Sequence, residues 1–316
     1  MAGRAGKTST KMAISTVLQT SQRVLWQEGN YNDRVTVPLI FFDHIAPNIV
    51  NVFAWLKIFF QNERAIRRPY AYDVVVAELG TDGPGFMADF AYIKPDIAVV
   101  TAVSPEHMEY FGTLDAVARE ELTILNFAKQ TLVNVDDTPA EYLRDRDYVS
   151  YGMETSAHYH ITGQTSHGLK GQTITLQLGE KDSFTLKVPL LGKPGAKIVL
   201  AAAAVAHLFG LPRQTIQKGV AEISAFAGRM QILQGVKDST IIDDTYNASP
   251  IAAKAALDVL QSGEAPQRIA ILGTMNEMGA HSPEAHREVA EHCDPGKLDW
   301  VITIGRDAEE YLAPVA

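Results

Sequence analysis

The sequence predicts an α/β fold in two domains, and three observations carry that prediction. Short, almost uniformly apolar runs recur at 72–78, 97–101, 130–134, 240–243, 268–273 and 300–305. Such runs read as strands buried on both faces of a parallel sheet. The stretches between them are long enough for crossover helices, and 316 residues at about 150 per domain suggest two cores.

The elements follow in order. Gly3-Arg4-Ala5-Gly6-Lys7-Thr8-Ser9 opens a helical segment, so backbone N–H groups, a helix N-terminus and the Lys7 ammonium would converge on a phosphate. The Thr8 hydroxyl would hold Mg²⁺. Only two residues separate the glycines, where the usual P-loop has four. A buried strand normally precedes such a loop, and here only Met1 and Ala2 do. The expectation is a truncated start, the alternative being a loop without the strand that holds its backbone.

Residues 43–69 stand apart as an apolar insertion: 45–60 is apolar and aromatic, and 63–68 supplies a basic end. A helix packed over the domain surface is the plain reading, and a peripheral membrane or protein contact through 45–60 is the other. The run at 74–77 delivers Glu78 to a strand end, where α/β sheets bind ligands, as a candidate Mg²⁺ ligand. The run at 98–101 leads toward His107, which taken alone reads as structural.

Between Tyr159 and Val188 the pattern alternates, with 173–178 and 183–188 flanking 179–182, so an antiparallel hairpin is expected at the sheet edge. The Ala-rich run Val199 to Leu208 reads as a tightly packed helix ending at Gly210. A hinge at 227–229 precedes a second α/β unit, which puts the boundary near Gly228. The expected organisation is a P-loop-type domain over 1–228 and a smaller, Rossmann-like α/β domain over 229–316.

Composition excludes several classes. With 28 Lys+Arg against 37 Asp+Glu the chain stands at −9, without the basic stripe that nucleic-acid binding requires. One cysteine, Cys293, excludes an intramolecular disulfide and a CxxC site, and suggests a reducing, cytoplasmic setting. The start shows no apolar signal-peptide core. The longest apolar stretch, Ile49 to Phe60, is interrupted by Asn51 and Lys57 and is too short to span a bilayer.

Several segments in this order resemble the Mur ligases: 6–9, 29–32, 78–80, 95–112, 228–230, the run Asp243-Asp244-Thr245-Tyr246-Asn247-Ala248-Ser249-Pro250, and 272–279. Within the family the likeness is to the branch that adds D-Ala-D-Ala. The resemblance implies an ATP-dependent amide ligase of peptidoglycan precursor synthesis, acting on a UDP-muramyl peptide and D-Ala-D-Ala. A carboxylate would be phosphorylated and an amine would then attack the acyl phosphate.

Carried over by position, Gly3, Gly6, Lys7, Thr8 and Ser9 would bind ATP. Thr8 and Glu78 would hold Mg²⁺, and Glu78 and His107 a second metal. Arg229 would reach the γ-phosphate, Asp244 the ribose, and Tyr246 and Asn247 the nucleotide. Asn30 and Asn32 would lie toward the substrate. Glu277 and His286 match as well, without an assigned chemistry.

Three departures stand out. Most of these ligases carry, downstream of the histidine, a lysine that is carbamylated and binds the second metal. Glu121 stands there, a ready-made but shorter carboxylate that could serve as the ligand. At 192–198 the family's adenine-recognising His-Asn pair and further Asn are absent, which puts base selectivity in doubt, and Thr274 replaces a usual Asp. Set against the family pattern, the amino-terminal UDP-sugar domain and part of the carboxy-terminal domain are expected to be absent from these 316 residues. A folylpolyglutamate- or cyanophycin-type ligase, and a non-catalytic scaffold that kept the fold, stay open as alternatives; oligomeric state stays open too.

Overall fold

The computed structural model describes residues 1–27, 32–81, 83–105, 108–180 and 182–316. Helix α1 (Lys7–Gln19) is followed by strand β1 (Val24–Trp26), helices α2 (Val37–Ile40) and α3 (Val52–Ala65), and strands β2 (Val74–Val76) and β3 (Ile97–Val100). Helices α4 (Met108–Phe111) and α5 (Leu114–Glu121) lead to β4 (Gln130–Asn134), β5 (Val149–Gly152), β6 (Tyr159–Ser166), β7 (Gln172–Leu178) and β8 (Asp182–Val188). Then come α6 (Gly192–Leu208), α7 (Arg213–Ala221), β9 (Gln231–Gln234), β10 (Thr240–Asp243), α8 (Pro250–Ser262), β11 (Ile269–Gly273), α9 (Ser282–Glu291) and β12 (Trp300–Ile304).

Strands β3 to β8 form one sheet in sequence order, parallel from β3 to β6 and antiparallel through β6, β7 and β8. The α/β class and the edge hairpin are as expected, with Thr173 opposite Lys187 and Leu178 opposite Asp182. Strands β1 and β2 pair in parallel as a separate piece. Residues 1–4 lie between the two pieces. Leu79 N–H donates to Met1 O at 2.8 Å, Ala2 N–H to Val99 O at 2.8 Å, and Thr101 N–H to Ala2 O at 3.1 Å. The loop therefore has the extended backbone support that its short lead-in left in question.

Two cores flank this layer. One lies among α1, α6, α7 and the sheet, where Ala201 to Ala204 and Ala206 are buried. Small side chains let the helices approach closely; a Cβ on Gly219 of α7 would stand 2.8 Å from Val17 Cα on α1. The other holds Phe90, Val100, Val117, Leu122 and Ile124. Burying each such apolar side chain contributes about 1.5–3 kcal/mol.

The last third has its own core of Leu257, Ala270, Met275, Val289 and Leu312. Strands β11 and β12 pair in parallel, and their outward face leaves Ile271, Trp300 and Ile304 exposed. Helix α3 departs from the plain reading of a packed surface helix, since none of its residues is buried.

Candidate active site

The loop and its helix start form the floor of the site. Gly6 caps α1 in the left-handed region, at φ 78°. Gly3, at φ 115°, runs so close to the next strand that a Cβ would lie 2.5 Å from Thr101 Oγ1 and 2.8 Å from Ala102 N. Lys7 folds back over the loop, its Nζ donating to Gly3 O at 2.6 Å. Ser9 is buried in α1.

Strand β2 ends at Val76, and two residues later Glu78 meets α1. Thr8 Oγ1 donates to Glu78 Oε2 at 3.0 Å, and Lys11 Nζ lies 3.3 Å from the same oxygen. Asn32 Nδ2 donates to Glu78 Oε1 at 3.3 Å. Both Lys11 and Glu78 are almost wholly buried. Burial opposes the Glu78 charge, but Lys7, Lys11 and Thr8 outweigh it and hold the carboxyl below its usual range. Burial dominates at Lys11 and lowers its ammonium from the usual value.

Glu121 is placed differently from the expected metal set. Gly3 N–H donates to its Oε2 at 2.6 Å, Arg4 Nε lies 2.9 Å from Oε1, and Thr81 Oγ1 donates to Oε1 at 3.3 Å. Arg4 in turn donates to Thr81 O at 3.0 Å and to Thr81 Oγ1 at 3.1 Å, with its guanidinium 4.6 Å from the Phe111 ring centre. The Arg4 and Glu121 side chains are 1% and 2% exposed. Glu121 thus clamps the loop backbone. Among the described residues, no three His, Cys, Asp or Glu gather as a metal site.

The opposite wall comes from the segment after α7. Gly228 takes φ 68°, with Tyr246 N–H donating to its carbonyl at 3.0 Å. A Cβ at Gly228 would sit 3.2 Å from Tyr246. Arg229 stacks on Tyr246, 4.2 Å from the ring centre. Asp244 Oδ1 accepts from Met230 N–H at 3.0 Å. Burial raises the Asp244 carboxyl above its ordinary value, with the Met230 bond and Arg229 opposing.

A cleft of ≈ 390 Å³ separates these walls, and it joins Gly6, Lys7, Thr8, Asn32 and Glu78 to Arg229, Asp244, Tyr246 and Asn247. Asn30 and His107 lie outside the described residues. Pro194, Gly195 and Ile198 are not among its lining. They belong to α6, where Gly195 packs on Leu190. Glu277 reaches the cleft. His286 does not: it is buried, its Nε2 accepting from Met275 N–H at 3.0 Å and Nδ1 facing Ser282 O at 2.7 Å, so it fixes the turn after β11.

Arg4 and Lys11 went unassigned in the sequence. The available signal for Lys11 is its spacing of four from Lys7, which puts both on one helix face. For Arg4 it is the opposite charge of Glu121.

The Mur ligase middle domain matches residues 57–206, and the Mur ligase glutamate ligase domain matches residues 228–315. The chain belongs to the Mur ligase family. This Mur ligase chain is 28% identical over 309 residues to the UDP-N-acetylmuramoyl-tripeptide–D-alanyl-D-alanine ligase of Bacillus subtilis, covering 96% of this chain and 62% of that protein. It is 27% identical over 323 residues to the ligase of the same name from Escherichia coli, covering 98% and 64%.

Among solved structures, MurF from Acinetobacter baumannii aligns at TM-score 0.82 and 21% identity, over 98% of this chain and 64% of that one. MurF from Thermotoga maritima, in complex with ADP, aligns at 0.79 and 24%, over 98% and 67%. The chain thus spans somewhat under two thirds of the length of these curated relatives.

Proposed function

We propose that this Mur ligase chain acts as an ATP-dependent ligase that joins D-alanyl-D-alanine to a UDP-N-acetylmuramoyl tripeptide, in the cytoplasm, with 1–228 and 229–316 as its working parts. The observation that carries the reading is the cleft, which sets a loop ammonium and a hydroxyl–carboxylate pair opposite a guanidinium from the other half. The names of the Bacillus and Escherichia relatives supply the substrate class.

In this reading Lys7 leaves the Gly3 carbonyl for the ATP phosphates, Gly6 and the first turn of α1 present N–H groups to them, and Arg229 meets the γ-phosphate. Asp244 accepts from the ribose hydroxyls, and Tyr246 and Asn247 flank the nucleotide. The substrate carboxylate attacks the γ-phosphorus, the bond to the ADP oxygen breaks, and an acyl phosphate forms. The D-alanyl-D-alanine amine then attacks the acyl carbon, loses a proton and displaces phosphate.

Thr8 and Glu78 are hard oxygen donors 3.0 Å apart, a set suited to Mg²⁺. Mg²⁺ bound there would neutralise phosphate charge. Asn32 and Lys11 hold the Glu78 carboxylate in place for it. His107 remains a proposed ligand from the family pattern, and Glu121 serves to hold the loop. Charge stabilisation of this kind needs no protein nucleophile.

The test is phosphate release and product mass with Mg²⁺·ATP, the tripeptide and D-alanyl-D-alanine, beside Lys7→Ala. Losing one charge-stabilising group of this kind costs about 10²–10³ in rate. A parent chain that binds ATP yet releases no phosphate above the Lys7→Ala background would sink the ligase reading.

A further inference from the structure

Helix α3 is a well-formed helix with nothing packed over its outer side. Asn51 caps it, Oδ1 accepting from Ala54 N–H at 3.1 Å, yet none of its residues is buried. Phe53 is 85% exposed, Val52 and Phe60 64%, and Phe59 58%. At about 100° per residue, Val52, Phe53, Leu56, Phe59 and Phe60 share one arc of roughly 120°. Trp55, Ile58 and Asn62, on the opposite side of the helix, are half-buried. Lys57 and Arg64 fall on the flank between the two, and Arg67 and Arg68 follow just past the helix end. The preceding loop adds Ile45, Ile49 and Val50, all exposed.

Charge says what covers this surface. Lys57, Arg64, Arg67 and Arg68 against Glu63 alone give residues 57–68 four cations and one anion, or +3, in a chain that carries −9 overall. Another exposed apolar face, on β11 and β12, has no charged residue within either strand. An apolar ridge beside a basic flank is the pattern of a helix lying in the headgroup region of an anionic bilayer. Fourteen residues at 1.5 Å each reach about 21 Å, short of the roughly 30 Å hydrocarbon core. No described helix is long and apolar enough to cross a membrane, so α3 would lie on it.

We infer that α3, with the loop before it, docks the protein on a membrane surface rich in anionic phospholipid, its phenylalanines inserted and its arginines on the headgroups. The inference stands apart from the ligase reading, because α3 contributes nothing to the cleft.

The experiment is sedimentation of the full chain with vesicles of phosphatidylcholine alone and with an equimolar phosphatidylcholine–phosphatidylglycerol mixture. Binding to the mixture should exceed binding to neutral vesicles by at least about tenfold and weaken with salt. Arg64→Glu with Arg68→Glu should remove that preference, and Phe53→Asp with Phe59→Asp should remove binding altogether. Both pairs are exposed, so unchanged circular dichroism and ATP affinity verify folding. Equal binding to the two vesicle types, or none to either, overturns the inference. So does a parent dimer in sedimentation velocity that Phe53→Asp with Phe59→Asp dissolves while vesicles capture nothing, since that assigns the surface to a second copy of this chain.

Discussion

Replacing Glu121 by Gln separates the loop clamp that the structure shows from the metal ligand that the family pattern suggested. The carboxylate takes a backbone N–H at 2.6 Å, the Arg4 guanidinium at 2.9 Å and the Thr81 hydroxyl at 3.3 Å, all out of water. Glutamine keeps one acceptor but turns an amide N–H₂ toward cationic Arg4, leaving a buried charge uncompensated. Removing one partner of such a pair costs about 3–5 kcal/mol, whereas exchanging both partners for apolar side chains of similar volume is often close to neutral. In a unit of this size each kcal/mol moves the midpoint by about 2–4 °C, so Glu121→Gln should lower Tm by roughly 10 °C.

Arg4→Met with Glu121→Met should recover much of that loss, short of the bonds from Arg4 to Thr81. The assay is thermal unfolding of the four chains of the double-mutant cycle, with Mg²⁺ titrated into each. A shift below about 2 °C with additive effects would refute the clamp, as would intact stability with Mg²⁺ affinity lost, which is the signature of a ligand.

Gly3→Ala should abolish ATP binding and lower Tm, because the added methyl meets Thr101 and Ala102 at a φ of 115°; unaltered calorimetric ATP affinity would contradict this. Asp244 is raised by burial, so it binds its proton more readily folded than unfolded. Its contribution to stability therefore falls as pH rises through the window above the ordinary carboxylate value, and ATP affinity should weaken on acidification sooner than an ordinary Asp allows. Asp244→Asn should erase that acid limb in a pH series of affinities. Cys293 is buried and its thiol raised above its usual range. At neutral pH a thiol reagent should react at least about tenfold more slowly than with a free cysteine and accelerate in mild urea, which mass spectrometry can follow.

The strands at 97–100 and 130–134 were legible as uniformly apolar runs and the edge hairpin through its alternation, although its pairing is one residue off the expected link, with Leu178 opposite Asp182. Residues 240–243 form a strand as expected, but it pairs antiparallel with β9 rather than in a parallel sheet. Val24–Trp26 was not legible, since three residues give no period and its partner lies fifty residues on. Gly192-Lys193-Pro194, where the family's adenine-recognising amides are absent, had no element assigned from the sequence; it is the first turn of α6. There a proline is tolerated, because first-turn N–H groups have no intrahelical acceptor. Lys7, Thr8, Glu78, Arg229 and Asp244 were legible as a set through the family pattern, and they line one cleft. The clamp was hidden because Arg4 and Glu121 are 117 positions apart, and only the fold brings their charges together.

The seating of residues 1–4 also bears on how the protein comes to be folded. The Met1 amino group bonds across 76 residues and the Gly3 N–H across 118. The described contacts that shape the phosphate loop thus come from residues made well after it, and its form should be complete only once α5 has been delivered. Closing loops of that span before their contacts can compensate is entropically slow. During translation the nucleotide site should be among the last features of its domain to mature, and a nascent chain halted before Glu121 would expose a loop that has no conformation with which to hold ATP.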